Sequence, residues 1–350
     1  MFLYCVATSD LKGQNWGPFE TAPECLQNQY SHRSISLQPL NLPKTKKIIS
    51  PARLSSYVQF FKPQSDMELY GVYCWNLQLS SCFYDLISVV EVALRNRVHY
   101  ALSGYFSPGS LSFAWYHGMQ LSGKTKDKIK KITHNKTRGR NPNWLPKNPA
   151  PSPDDIVSRV TFGFWKNVLQ AKRLARGGNI PWENILINVA INHRNNDVNF
   201  WKKERNRDSL CARIETVNRI RNRICHFEPI WKQKELYEEL LARPGLQPKV
   251  LAPAPVTPSD SIKRLRLLHS RSLELLYWLS KSRAADYRNS ESCKRFYAVC
   301  SDLGLLSYRN QQPYVESSVN DWDELRQHME SGRRIKILDA DNILGYYYPK

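Results

Sequence analysis

Residues 71–102 read GVYCWNLQLSSCFYDLISVVEVALRNRVHYAL, and this stretch decides the fold class. Its apolar residues recur at every third or fourth position: Val72, Trp75, Leu79, Phe83, Leu86, Val90, Leu94 and Val98. This spacing puts them on one stripe of a helix of about seven turns. Such a stripe has to be buried against other helices. The sequence therefore predicts an all-α fold built as a helical bundle.

Helical patterns continue on both sides of this stretch. Residues 53–58 suggest a short helix before it, and acidic residues at Asp154 and Asp155 suit the first turn of a later one. Further helices are predicted over residues 182–191 and 198–227. The last long helix follows Ser259 or Asp260, either of which suits a helix N-cap. These patterns define a main helical domain over residues 48–245.

The remaining segments lack regular periodicity. Residues 1–47 are predicted to be an N-terminal extension. Residues 122–153 contain KTKDKIKKITHNKTRGR at 124–140, with eight Lys or Arg against one Asp, followed by closely spaced prolines. We expect this segment to be an irregular, exposed and mobile basic insertion. Residues 246–260 are predicted to be a Pro-rich linker, and residues 261–350 a mainly helical C-terminal extension.

Composition limits the classes of function. The net charge of +20 favours polyanionic partners, with nucleic acid first and an acidic membrane surface second. No uninterrupted apolar run reaches about 18 residues, so no membrane span is predicted. The eight cysteines form no C-x-x-C pair and no Cys/His cluster with zinc-ligand spacing. Without a recognisable signal peptide, the sequence predicts a cytoplasmic protein with no metal and no cofactor.

A second stretch carries the chemistry: residues 221–229 read RNRICHFEP. It places a guanidinium, an amide and an imidazole within two turns at a helix end. A cation that binds phosphate and an imidazole that moves protons are the groups needed to cut RNA without a metal. Arg221 also falls where the apolar stripe of its helix calls for an apolar side chain, so it should face a cleft, a carboxylate or another chain. The alternative is an Arg-rich helix end whose cations complement the helix dipole, with His226 as a cap.

Two observations test this motif. The same spacing recurs at Arg264 and His269, within an amphipathic pattern that we interpret as structural. On an ideal helix, Arg221 and His226 lie about 140° apart and about 7.5 Å along the axis. They can act on one phosphate only if the helix frays, if the arginine bends round, or if a symmetric dimer pools two copies. We favour the dimer.

Four segments in order resemble one known family. They are SPARL at 50–54 with Tyr57, EVALRN at 91–96, TFGFW at 161–165, and RNRICHFEPI at 221–230. Together they are similar to the opening helix, the E-x-x-L-R-N segment, the F-G-F-W helix and the R-x4-H signature of the Abi-like (abortive infection) family of the HEPN superfamily. The resemblance covers about residues 48–232. Phe227 departs from it, since the family often has a second histidine there.

The resemblance implies a HEPN-type helical bundle that dimerises, and a metal-independent endoribonuclease acting as a toxin or phage-defence effector. Its catalytic residues would be Arg221, Asn222 and His226. Its supporting residues would be Glu228, Glu91, Arg95 and Asn96, although Glu91 and Arg95 also have the spacing of an ordinary helix ion pair. RNA-backbone contacts are expected from Arg219, Arg223, Lys124, Lys126, Lys128, Lys130, Lys131, Arg138 and Arg140.

Expected partners are an RNA substrate, a second copy of the chain and an RNA or protein antitoxin, with no membrane. Two alternatives stay open. The chain could be a non-catalytic RNA-binding or RNA-sensing component of a defence or toxin–antitoxin complex. It could also act only through protein interactions in such a complex.

Overall fold

The computed structural model describes residues 39, 41–138, 142–243, 245–310, 315–331, 333, 335–340 and 342–347. Within these ranges fourteen α-helices and seven short strands form, which confirms the predicted all-α character. The helices are α1 Leu42–Ile49, α2 Pro51–Phe61, α3 Asp66–Phe106, α4 Gly123–Thr133, α5 Pro153–Arg159, α6 Phe162–Leu169, α7 Trp182–Val189, α8 Val198–Lys202, α9 Glu204–Cys225, α10 Pro258–Leu279, α11 Lys281–Asn289, α12 Glu291–Val299, α13 Asp302–Arg309 and α14 Trp322–Glu330. The strands are β1 His134–Lys136, β2 Trp144–Pro146, β3 Leu236–Tyr237, β4 Val250–Ala252, β5 Val315–Ser318, β6 Ile335–Asp339 and β7 Asn342–Tyr347.

The central element is α3, which is longer than predicted by about one turn at each end. Ser65 caps it by accepting a hydrogen bond from the Glu68 N–H at 3.1 Å. Its whole apolar stripe is buried, and α2, α6, α7, α9, α10, α12 and α13 pack around it. The stripe that predicts the fold is therefore the core of the molecule.

Length and apolar composition alone would allow α3 to cross a membrane, and no other helix in the described ranges passes the same test. However, 44% of its most apolar window is buried inside the fold. The core helix of a soluble protein has these properties, so the arrangement is compatible with a soluble protein.

The basic insertion is not irregular, contrary to the prediction. Residues 123–133 form α4, and β1 pairs with β2 in an antiparallel hairpin. Ser122 caps α4, and Thr125, Ile129 and Ile132 share the face that packs against the core. The lysines hide this apolar spacing in the sequence, and the helix-breaking prolines begin only after it.

Two predicted helices are each broken into a pair. The one starting near Pro153 divides into α5 and α6, because Val160 and Thr161 are extended and β-branched. The one over residues 198–227 divides into α8 and α9 at Lys203, which is also extended. The Arg207 guanidinium stabilises that break by donating to the Trp201 carbonyl at 2.7 Å.

The C-terminal region shares the core of the main helical domain. The Trp75 indole on α3 donates to the Val299 carbonyl on α12 at 2.8 Å, in the interior. Thr257, rather than Ser259 or Asp260, caps α10 in a reciprocal capping box with Asp260. The predicted linker also contains β4, which pairs with β3. The Pro-rich segment therefore lies against the same packed body that it was predicted to separate.

Both ends of the described chain differ from the prediction. Residues 42–49, placed mostly in an irregular extension, form α1, while residues 1–38 and 40 lie outside the described residues. Beyond Arg309 the expected helical pattern gives way to a three-stranded sheet. In it β5 runs parallel to β6 and β7 antiparallel to β6, accompanied by α14.

Candidate functional site

The C-terminal end of α9 stays regular up to the predicted histidine. The His226 N–H donates to the Asn222 carbonyl at 2.9 Å, as in a continuous helix. The chain reverses only at Phe227, which has a left-handed φ of 55°. Because the helix does not fray before His226, the separation of about 140° between Arg221 and His226 remains.

Arg221 lies against the central helix. Its Nε is 3.6 Å from the Glu91 Oε2 atom, and both side chains are about one-quarter exposed. This distance is too long for a hydrogen bond. The Nε atom is buried without a hydrogen-bond partner, and no hydrogen bond of this guanidinium is found among the described residues. The arginine on the apolar stripe thus faces a carboxylate, as predicted, but keeps its donors unused.

Glu91 therefore has a different role from an ordinary ion pair within α3. Its carboxylate faces Arg221 on α9, while Arg95 Nε donates to Asn96 Oδ1 at 3.3 Å. Since Glu91 and Arg221 are 130 positions apart, the contact depends on the packing of α9 against α3. This is the clearest case in which folding brings predicted site residues together.

His226 and Asn222 are both exposed. No hydrogen bond of the His226 ring occurs within the described part of the chain, whereas His99, His193 and His269 all have one. An exposed imidazole without a protein partner is free to meet a substrate. The end of α9 thus presents an amide and an imidazole to solvent, with an uncommitted guanidinium one helical turn earlier.

Helices α2 and α3 hold the segment that follows α9. The Arg53 guanidinium donates to the Phe227 carbonyl at 2.9 Å, and the Ile230 N–H donates to Asn76 Oδ1 at 3.0 Å. Trp231 then packs among the rings of Tyr57, Phe60 and Phe61 on α2. The chain on the C-terminal side of His226 is therefore fixed to the fold.

A third helix, α6, approaches the same part of α9. Gly163 faces Asn218, whose side chain would lie 3.4 Å from a Cβ at that position. Lys166 pairs with Glu215 at 2.7 Å. These contacts show that α6 and α9 are antiparallel. All four segments of the family resemblance thus belong to α9, contact it, or contact the turn that follows it.

The structure gives two predicted site residues other partners. Arg223 forms an ion pair with Glu228 at 3.3 Å and also donates to the Lys232 carbonyl. These contacts close the turn after α9. Glu228 therefore contacts Arg223 rather than Arg221 or His226, and the Arg223 guanidinium is engaged in the turn rather than free for an RNA backbone.

The predicted RNA-binding lysines divide between two faces of α4. Lys126 and Lys130 line a cleft of about 1130 Å³, together with His117, His134 and Lys172. Lys128 instead reaches Thr161 Oγ1 at 3.3 Å, at the start of α6. Of the others, Lys124, Lys131, Arg138 and Arg219 are exposed, and Arg140 lies outside the described residues. The cleft is therefore lined by cationic and histidine side chains from several segments of the chain.

Metal ligands do not gather anywhere in the described ranges, where no group of three or more His, Cys, Asp or Glu is close enough to hold an ion. Six cysteines are described as free thiols, and Cys225 alone among them is exposed. Burial raises the pKa of the Cys211 and Cys300 thiols to about 12, which keeps them protonated.

Sequence reasoning missed Arg53, Asn76 and Phe227 as parts of this site. Asn76 is the one with a readable signal, because it interrupts a strongly apolar stretch and is buried. Nothing in the spacing of Arg53 indicates that it would hold a carbonyl 174 positions away.

Comparison of the chain with protein-family models, with curated proteins and with solved structures finds no match.

Proposed function

We propose that this protein is a metal-independent endoribonuclease of the HEPN type, acting as a toxin or phage-defence effector in the cytoplasm. The observation that carries the proposal is the end of α9. Within the described residues, Arg221 is held near Glu91 with its hydrogen-bond donors unused, and the exposed His226 ring has no hydrogen-bond partner. The convergence of the four family-like segments on this helix supports the same reading.

The proposed reaction is attack of a ribose 2′-oxygen on the adjacent phosphorus. The new O–P bond forms as the bond from phosphorus to the 5′-oxygen breaks, which leaves a 2′,3′-cyclic phosphate and a free 5′-hydroxyl. His226 moves a proton, from the 2′-hydroxyl or to the leaving oxygen. Arg221 stabilises the charge that develops on the phosphate oxygens. DNA lacks the 2′-hydroxyl and would not be cut.

A homodimer would complete this site. Because α9 stays helical through His226, one chain points its arginine and histidine in different directions. Two copies related by a two-fold axis would supply one histidine as base and the other as acid. Asn222, exposed beside His226, would orient the substrate, and an RNA or protein antitoxin would act by covering this surface.

The basic cleft supports RNA as the substrate. Lys126 and Lys130 come from α4, and Lys172 comes from the loop after α6, so a bound strand would meet cations from two separate segments. The same observation supports the second candidate function, an RNA-binding component that does not cut. Cleavage distinguishes the two.

The test is to incubate the purified protein with end-labelled total RNA in EDTA. The matched variants are Arg221→Ala, His226→Ala and the control Arg326→Ala, whose exposed arginine on α14 pairs with Glu330. We expect wild type and Arg326→Ala to produce 2′,3′-cyclic phosphate ends. The Arg221 and His226 variants should be slower by a factor of about 10²–10⁴.

The outcomes separate the candidates. RNA that binds in a salt-dependent way but is never cut would leave the non-catalytic role. Cleavage that survives in both Arg221→Ala and His226→Ala would place the active site elsewhere. Absence of any RNA binding would leave only a role in protein interactions.

A further inference from the structure

Phe227 combines an unfavourable backbone conformation with an exposed ring. It occupies the position after the α9 cap, where glycine is usual because φ is positive, here 55°. The Phe227 N–H donates to the Ile224 carbonyl at 3.0 Å and the Glu228 N–H donates to the Arg223 carbonyl at 2.8 Å, which fixes this conformation. A left-handed conformation costs free energy for any residue with a Cβ.

Packing of the ring does not offset that cost. The Phe227 side chain is 71% exposed, whereas the chain around it is tightly held. Its carbonyl accepts from Arg53, and Ile230 and Trp231 three and four residues later are buried. The result is a rigid backbone that holds an apolar ring in solvent, next to His226.

We infer that Phe227 is a nucleobase subsite: its ring stacks on a base of single-stranded RNA adjacent to the cleaved phosphate. Aromatic side chains held in solvent on a fixed backbone are the usual platforms for unpaired bases. The surrounding charge fits this ligand, since the Arg53 guanidinium donates to the Phe227 carbonyl and Arg221 lies near the end of α9. This inference rests on the proposed function, because it concerns the same site.

The subsite predicts a preference for unpaired RNA. A base in a duplex is stacked on its neighbours and cannot cover the ring. A second copy of the chain is the competing occupant, because the ring lies where the proposed dimer would meet. The two occupants can be distinguished by binding measurements. If the ring stacks on RNA, the effect of removing the ring should depend on the presence of one particular base, whereas a contact with a second copy should not.

The experiment uses short 2′-O-methyl oligonucleotides, which bind but cannot be cut by 2′-oxygen attack, and in which each position in turn is made abasic. They are bound to the wild-type protein, Phe227→Gly, Phe227→Trp and the control Trp322→Ala. Trp322 is another exposed aromatic residue, on α14. Glycine is the informative change because it removes the ring and suits the left-handed backbone, so Phe227→Gly should unfold at the same temperature as wild type or higher.

We expect Phe227→Gly to bind the intact oligonucleotide about 10-fold to 100-fold more weakly. Phe227→Trp and Trp322→Ala should stay within about threefold of wild type. At one abasic position, wild type and Phe227→Gly should bind equally, because the base and the ring act on each other. The same Phe227→Gly variant should lose cleavage of single-stranded RNA in proportion.

Two results would overturn the inference. The first is an affinity of Phe227→Gly equal to that of wild type, while wild type still cuts RNA; the proposed function then stands without this subsite. The second is a shift of Phe227→Gly from dimer to monomer in sedimentation, with no dependence on any abasic position; the ring then belongs to the contact between copies. A wild-type protein that neither binds nor cuts RNA would instead reject the proposed function itself.

Discussion

Helices α9 and α10 each carry an arginine five residues before a histidine, yet the two pairs have opposite surroundings. Arg264 on α10 is 8% exposed and donates to the carbonyls of Lys234 and Pro253 at 2.8 and 2.9 Å. His269 is fully buried, lies 3.0 Å from the Tyr287 hydroxyl and stacks on Phe296. Arg221 and His226 on α9 have no such hydrogen bonds in the part of the chain that the structure describes.

This difference shows what separates a site from a structural element of identical spacing. In α10 both side chains are used by the fold, because the arginine fixes the β3–β4 segment and the histidine fills the core. In α9, neither the Arg221 nor the His226 side chain makes a hydrogen bond to the described part of the fold. Unused hydrogen-bonding capacity alone does not separate the pairs, since the buried His269 Nδ1 atom also lacks a partner among the described residues. Access to solvent at His226, rather than the R-x4-H pattern, is therefore what marks the α9 pair as a candidate for chemistry.

The largest effect that tests this comparison is on catalysis. We expect His226→Ala to lower RNA cleavage by a factor of about 10²–10⁴ while its free energy of unfolding changes by less than about 0.5 kcal/mol, because the ring is exposed. Cleavage assays and urea denaturation measure the two quantities. If His226→Ala loses stability together with activity, then the pair on α9 is structural, like the pair on α10.

The next effect is on stability. His269→Ala should lower the free energy of unfolding by about 2–4 kcal/mol, because it leaves a cavity beside Phe296 and removes the partner of Tyr287. The urea midpoint should fall with an unchanged slope. An unaffected midpoint would show that α10 is not the structural member of the pair.

The third effect is a pH dependence of stability to which the buried His269 contributes. Burial lowers the pKa of His269 to about 3, far below its ordinary value of 6.5. Between these pH values, the His269 side chain is therefore protonated in the unfolded chain and neutral in the folded protein. Stability should be full above pH 6.5 and fall by about 1.4 kcal/mol per pH unit on acidification below it.

Burial likewise lowers the pKa of His99 and His193, so these residues add to the acid sensitivity. His269→Phe, which keeps a stacked ring, should reduce the slope of unfolding free energy against pH by the contribution of one proton between pH 6 and 4. Equal slopes in the two proteins would mean that His269 is protonated in the folded state.

The smallest effect concerns the carboxylate near Arg221. Glu91→Gln should lower RNA cleavage about 3-fold to 10-fold, since it removes a contact of about 1 kcal/mol that positions the guanidinium. The matched control is Glu330→Gln, which breaks an exposed pair with Arg326 and should leave cleavage unchanged. An increase in cleavage would mean instead that Glu91 holds Arg221 away from the phosphate.

The sequence predicted the helical class because one stripe on α3 is long and unambiguous. It failed in the basic insertion, where Ile129 and Ile132 carry too weak a pattern among lysines to reveal α4. It failed at Lys203 because a helix break stabilised by the Arg207 side chain leaves no proline or glycine in the sequence. Local pattern was thus informative where the apolar stripe was long and continuous.

For the site, the sequence identified Arg221 by its misfit on an apolar stripe, and it left open a cleft, a carboxylate or another chain as what Arg221 faces. It could not predict that Arg221 faces Glu91, because the contact depends on how α9 packs against α3. It gave Glu228 only as a supporting residue and named no partner for it, since only the folded turn after α9 brings Glu228 to Arg223. Long-range contacts of this kind require the fold itself.

The indole of Trp75 bonded to the backbone of Val299 has a consequence for how this protein can be divided. The first 245 residues look like a self-contained module, with a proline-rich hinge behind them. Yet α10, α12 and α13 cover the central helix, so a protein shortened at that hinge would expose the apolar flank of α3. The two parts share one hydrophobic core and form one folding unit. Genetic recombination at the hinge would therefore produce two fragments that each lack part of that core.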